Sequence, residues 1–191
     1  KVNAVLFDLD GTLLDTIDLL LASVRWAFRD RRGRVPTREE WVAGIGTPLA
    51  SQMRVYATDD QDLATLIDGY REYQRAHHDE LTRAYADAIE TVVDLRKSGY
   101  RLGVVTSKAS DIANRSLAFV GLDRYLDVMV GFDSTDRHKP DPEPVRYALD
   151  VLQVPPAEAV FVGDSPHDMY AGNAAGVVTV GALWGPFSRS A

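Results

Sequence analysis

The chain of 191 residues has no cysteine. Disulfides, thiolate zinc sites and a cysteine nucleophile are excluded together. Lysine is scarce: Lys1, Lys97, Lys108 and Lys139 are the full set. Positive charge is outnumbered, with 21 basic against 28 acidic residues and a net charge of −7. That balance argues against a nucleic-acid partner, whose recognition needs a basic face. No apolar run approaches the length that crosses a bilayer, so no membrane partner is expected. The first apolar stretch carries Asp8 and Asp10, which a secretory signal would not. A cytoplasmic location is the default expectation. The cluster Arg29, Arg31, Arg32, Arg34 and Arg38 is read as a solvated loop between helices.

What is present is ordinary in bulk: 46% hydrophobic and 26% charged residues. This is a globular composition, and the length suits one domain with an insert or two small domains. Apolar runs recur at Val2–Leu9, Leu102–Val105, Val128–Val130, Ala159–Val162 and Val177–Val180. Each has the length and content of a strand buried on both faces. Helical spacing links the later ones: Ile112, Leu117 and Val120, then Val145, Ala148, Leu149 and Leu152. Alternating strands and helices predict an α/β, Rossmann-like three-layer core with a parallel sheet.

The first interval breaks the rhythm. The stretch from Asp8 to Leu102 far exceeds a βαβ unit of about 30 residues. Ile89, Val92 and Val93, followed by Gly99, supply the crossover helix and its stop. The remainder is an all-helical insert, with one face at Ile17, Leu20, Leu21, Val24, Ala27 and Phe28 and another at Leu63, Leu66, Ile67, Tyr70 and Tyr73. The expected division is a core of residues 1–15 and 82–191 with a helical cap of residues 16–81 standing over the sheet edge. The loop Gly44–Pro48 interrupts the cap helices.

Chemistry concentrates where strands stop. Val5, Leu6 and Phe7 run into Asp8-Leu9-Asp10-Gly11-Thr12. Alternation puts Asp8 and Asp10 on one side, and Gly11 permits a sharp turn after them. A calcium loop does not fit, because the sixth position from Asp8 is Leu13 and the twelfth is Leu19. The strand at Leu102 ends in Thr106-Ser107-Lys108, hydroxyls and amides suited to an anion. Lys139 lies between His138 and Pro140. The strand at Ala159 ends in Gly163-Asp164-Ser165-Pro166-His167-Asp168. Four carboxylates would meet at one edge, and a lysine with a hard divalent cation would offset them. Oxygen-only ligands favour Mg²⁺ over zinc.

Four segments in order, Asp8–Thr12, Val104–Ser107, Lys139-Pro140 and Gly163–Asp168, resemble the motifs of the haloacid dehalogenase superfamily of phosphatases. The resemblance spans nearly the whole chain. It implies a parallel-sheet core with a helical cap inserted after the first motif. It implies Asp8 as nucleophile, Asp10 as acid and then base, Thr106 on a phosphate oxygen and Lys139 as charge neutraliser. It implies Mg²⁺ held by Asp8, the Asp10 carbonyl and Asp164, with Asp168 either a ligand or a partner of Lys139. Ser107, Lys108, Gly46 and Thr47 are the expected substrate-binding residues, Lys108 reading a second anionic group. Asp10 disfavours dehalogenation, and the absence of lysine from residues 16–81 disfavours the phosphonate-cleaving branch.

Within the superfamily, the chain is most similar to the phosphoglycolate phosphatase group and its pyrophosphatase relatives. Ala86-Asp87 replaces a frequent Pro-Gly, implying a stiffer second cap hinge, and no arginine closely follows the Gly44–Pro48 loop. The expected substrate is a small phosphate, phosphoglycolate or inorganic pyrophosphate, and the expected assembly is a monomer or homodimer. Sugar phosphates or nucleoside monophosphates are the alternatives, as is a catalytically idle binding module. His77, His78, His138 and His167 are read as surface or neighbouring polar residues, and Trp184 as packing near the last strand.

Overall fold

The computed structural model describes residues 1–191. Its main sheet has strands β1 (Ala4–Phe7), β4 (Arg101–Val105), β5 (Val128–Val130), β6 (Ala159–Gly163) and β7 (Val178–Gly181). All pair in parallel, in the order β5-β4-β1-β6-β7. The central β1 is buried throughout, and its pleat divides its side chains between two cores. Ala4 and Leu6 enter a cluster with Val145, Leu149 and Leu152 of α7 (Glu143–Leu152) and Ala171 and Ala175 of α8 (Pro166–Ala175). Val5 and Phe7 enter the opposite cluster with Val92 of α5 (Ala88–Lys97) and Ala113 and Leu117 of α6 (Ser110–Phe119). The result is a three-layer α/β fold, as the strand and helix periods predict.

The insert forms a third core of its own. It comprises α1 (Ile17–Ala27), α2 (Arg38–Ala43), α3 (Leu49–Arg54) and α4 (Asp60–His77). Ile17, Leu20, Leu21 and Val24 of α1 pack with Trp41, Met53, Leu63, Leu66 and Tyr70. The insert meets the sheet through an antiparallel ribbon, β2 (Leu14–Asp15) and β3 (Arg83–Ala84), paired Leu14 to Ala84 and Asp15 to Arg83. Two loose linkers are thus hydrogen-bonded into one neck. The second hinge holds Asp87 at φ 62°, a left-handed conformation that glycine would adopt without strain.

Three expectations are revised. Arg31 is not solvated: it makes paired hydrogen bonds of 2.7 and 2.8 Å to Asp62, whose carboxyl it draws down to about 2. His78 is not at the surface but fully buried. Its Nε2 lies 2.7 Å from Ser116 Oγ and its Nδ1 2.6 Å from Asp79, fastening the end of α4 to α6. Trp184 is largely exposed, yet its indole N–H donates to the Thr12 carbonyl at 2.9 Å. The sequence gives no sign of the pairings Arg31–Asp62, His78–Ser116 and Trp184–Thr12, because each joins residues far apart along the chain. No helix is long and apolar enough to cross a membrane.

Candidate active site

The strand ends converge as their order requires, since neighbouring parallel strands finish at one edge. The Asp8 amide extends the sheet by donating to Val162 O at 2.8 Å, and Thr106 does likewise to Val130 O at 2.9 Å. Past Asp10, Gly11 turns at φ +88°. Past β6, Ser165 caps α8 in a reciprocal box with Asp168.

At the floor, Lys139 is 2% exposed and its ammonium donates to Asp8 at 2.7 Å, Asp168 at 2.6 Å and Val105 O at 3.2 Å. Asp168 spends its other oxygen on Ser165, 3.0 Å to the amide and 2.7 Å to the hydroxyl. Burial pushes Asp8 well above the usual carboxylate range, Asp168 adds to that, and Lys139 opposes it. Burial and then Asp168 push Asp164 up to about 7. Burial works against the Lys139 charge, but Asp168 and Asp8 hold its pKa above the ordinary lysine value. One cation therefore serves more negative charge than it can neutralise.

The unmet charge has a location. Asp8, Asp164 and Asp168 bring oxygens within 4.8 Å of one another. Asp164 Oδ1 accepts from Thr12 at 3.1 Å, whereas its buried Oδ2 has no partner. The backbone at Gly11 and Gly185 crowds that oxygen: a Cβ would lie 2.5 Å from it at Gly11 and 2.8 Å at Gly185. An orphaned carboxylate oxygen beside an all-oxygen donor set fits a hard divalent cation. The residues present fit Mg²⁺ on that ground.

Above the floor lies a chamber of about 370 Å³ between sheet edge and insert. Asp10 lines it beside Asp8, Thr106, Ser107 and Lys108. Asp10 accepts from Thr16 Oγ1 at 2.5 Å and from Lys108 Nζ at 2.7 Å. Thr16 occupies the N-cap position of α1, but its hydroxyl is turned to Asp10 and caps nothing. A cap bond is worth about 1 kcal/mol, so the helix start forgoes stability to hold an acid. Ser107 Oγ donates to Gly46 O at 2.6 Å, and Gly46 sits against Ser165, so the Gly44–Pro48 loop is closed onto the core. Thr47 also lines the chamber, its hydroxyl donating to Gly44 O at 2.7 Å.

The eight residues expected to act on substrate, Asp8, Asp10, Thr106, Lys139, Ser107, Lys108, Gly46 and Thr47, thus gather around one chamber and its floor, with Asp164 and Asp168 beside them. Lys108 differs in orientation: it is paired with Asp10 rather than directed at a remote site. No arginine of or near the Gly44–Pro48 loop lines the chamber. Arg71 and Arg75 reach the chamber from α4, together with Tyr70 and Gln74. Their 3–4 spacing was visible, but which face of α4 met the sheet was not. Thr12, Thr16 and Ser165 were also missed as partners of the acids; only their adjacency to the motifs signalled them.

Residues 5–182 match the family described as haloacid dehalogenase-like hydrolase. The pyrophosphatase PpaX of Bacillus cereus is 39% identical over 184 residues, covering 96% of this chain and 84% of its own. A crystal structure from Bacteroides fragilis, assigned by name to the haloacid dehalogenase-like hydrolases, superposes with a TM-score of 0.92 at 26% identity, covering 100% of this chain and 91% of that one. Another, described as a predicted phosphoglycolate phosphatase from Haemophilus somnus, has a TM-score of 0.87 at 26% identity, covering 96% and 86%.

Proposed function

The chain belongs to the haloacid dehalogenase-like hydrolases and is a phosphatase-type enzyme, and from that premise we propose an Mg²⁺-dependent phosphohydrolase that works through a phosphorylated Asp8 on a small anionic phosphate. The observation that carries the proposal is the buried Asp8, held by Lys139 beside the orphaned Asp164 oxygen at the floor of a closed chamber. Residues 16–81 serve as the cap and residues 1–15 and 82–191 as the catalytic core.

Asp8 supplies the nucleophilic oxygen. Lys139 keeps that carboxylate oriented and offsets its charge as the phosphoryl group arrives. Asp10 gives a proton to the leaving oxygen and then takes one from the attacking water. Thr16 aims Asp10, and Lys108 competes for the same oxygen, so Asp10 is ready to donate only once Lys108 turns to an arriving anion. Thr106 and Ser107 offer hydroxyls and amides to the phosphoryl oxygens. Asp8, the Asp10 carbonyl and Asp164 would hold the Mg²⁺, which supplies charge stabilisation to the phosphoryl oxygens. Asp168, with both oxygens engaged, serves as the anchor of Lys139. Gly46 and Thr47 close the chamber against water.

The relatives named pyrophosphatase and phosphoglycolate phosphatase support inorganic pyrophosphate or phosphoglycolate as substrates. The test is phosphate release from both, with Mg²⁺ and after EDTA, by the wild type and Asp8→Asn. Mg²⁺-restored activity that Asp8→Asn loses by several orders of magnitude is expected. Undiminished release by a folded Asp8→Asn variant refutes the covalent route.

A further inference from the structure

One segment touches the acids, the neck and the insert together. After β7 the chain continues as Ala182-Leu183-Trp184-Gly185-Pro186-Phe187. Its start is fixed: the buried Ala182 donates its amide to Gly163 O at 2.8 Å, one residue before Asp164. The Trp184 indole N–H donates to Thr12 O at 2.9 Å, and the Thr12 hydroxyl donates to Asp164 Oδ1 at 3.1 Å. Gly185 borders the other oxygen of that carboxylate. A Cβ there would lie 2.6 Å from Gly11 O and 2.8 Å from Asp164 Oδ2, which is buried and unpartnered. The Trp184 ring also meets Tyr85, beside the neck strand β3, edge-to-face at 6.5 Å. Burial, then Asp15, Asp164 and Asp10, push the Tyr85 phenol up to about 12, so that ring too stands near the acids.

Phe187 carries the segment onward. It packs against the hydrophobic cluster of the insert, and it is the one residue from outside 16–81 to do so. Two peptide steps separate it from Gly185, at most about 7 Å of chain, and Pro186 between them fixes one torsion. A displacement of the insert that keeps Phe187 seated must therefore pull on Gly185 and Trp184. Mg²⁺ demands near-ideal octahedral geometry, so its affinity is sensitive to how the groups behind a ligand are held. We propose that residues 182–187 form a strap coupling closure of the insert to Mg²⁺ affinity, with Trp184 and Gly185 as positioning residues for Asp164 and Phe187 as the grip on the insert. This rests on the Mg²⁺ reading of the floor and adds the segment that controls it. Coupling is reciprocal, so bound Mg²⁺ also favours the closed insert.

The test is calorimetric Mg²⁺ binding to the full chain, beside hydrogen exchange of the Gly44–Thr47 amides. Trp184→Phe keeps a ring beside Tyr85 but loses the N–H, and its Kd for Mg²⁺ should rise by about fivefold, the scale of one net hydrogen bond. Phe187→Ala should raise Kd by about fivefold as well, the lower end of coupling between sites, whereas Phe187→Leu should retain most of the affinity. Phe187 sits in the insert cluster, so its effect on Mg²⁺ must travel along the strap. Leu183→Ala, at an exposed position of the same segment, should bind Mg²⁺ as the wild type does. Mg²⁺ should slow exchange of the loop amides in the wild type and slow it less in Phe187→Ala. Wild-type affinity in Trp184→Phe or Phe187→Ala, an equal loss in Leu183→Ala, or an exchange rate indifferent to Mg²⁺ overturns the strap alone. No Mg²⁺ binding by the wild type overturns the metal reading and the strap with it.

Discussion

Lys139→Met is the most revealing single perturbation of the floor. Methionine nearly matches the lysine stem in volume, so the change removes charge rather than packing. Three contacts vanish at once, to Asp8 at 2.7 Å, Asp168 at 2.6 Å and Val105 O at 3.2 Å. Removing one partner of a buried pair costs about 3–5 kcal/mol, because the other charge is left uncompensated. For a chain of this size each kcal/mol lowers the melting temperature by about 2–4 °C, giving a loss of about 6–20 °C.

The pH dependence separates charge from packing. The Lys139 pKa is raised, so its stabilisation is complete below the unfolded lysine value of about 10.4 and is lost only in strong alkali. The wild type therefore keeps the contact from acid to mildly alkaline pH. In the variant, Asp8 has lost its cation and can neutralise itself only by taking a proton, which acid provides. Urea unfolding in EDTA should show the full loss near pH 7.5 and a smaller one near pH 5. A loss under about 1 kcal/mol at the higher pH, or equal losses at both, would refute the charge argument.

Metal-free stability should carry the mark of the raised carboxylates. With Asp164 pushed up to about 7 and Asp8 also raised, the folded chain holds more protons than the unfolded one from mildly acidic to neutral pH, so these acids make stability fall as pH rises through that window. The Mg²⁺-induced gain in melting temperature should therefore grow from pH 5 to pH 7.5, and a gain that is flat or shrinking with pH contradicts it. Gly11→Ala should weaken Mg²⁺ binding, measured by calorimetry, because the φ of +88° is strained and the new Cβ would meet Asp164 Oδ2 at 2.5 Å; wild-type affinity would show that oxygen to be uninvolved. Ca²⁺ should compete with Mg²⁺ and inhibit phosphate release, since its looser coordination misplaces the nucleophile; release as fast with Ca²⁺ as with Mg²⁺ would exclude a geometric role for the cation.

Much of the sheet and its acid-bearing edge was legible because both depend on short-range pattern. Apolar runs of strand length end at Asp8, Thr106 and Asp164, and parallel pairing carries those ends to one place. The buried face of α1 was equally plain from Ile17 to Phe28. The α4 face was not. Tyr70 belongs at once to the insert core and to the chamber wall, and its spacing with Leu66 reads only as packing. Arg71 and Arg75 resemble surface residues until the neck orients the helix. Lys108 reads as facing an anion because its neighbours are hydroxyls; its pairing with Asp10, distant in sequence, is not legible there. His78 escaped for the same reason, its hydroxyl partner lying on α6.

The neck also acts as an interlock. Asp10, the ribbon strand Leu14–Asp15 and Thr16 follow one another in the chain, and Thr16 both begins α1 and grips Asp10 at 2.5 Å. A tilt of the insert about that ribbon would carry Thr16 with it. Under the proposed mechanism, Asp10 would then be aligned as proton donor only while the insert is closed on the core. Bulk water entering an open chamber would find the phosphorylated aspartate but no base aligned to activate it. The lifetime of the phosphoenzyme would then be timed by the swing of a two-strand ribbon rather than by the reactivity of the acyl phosphate.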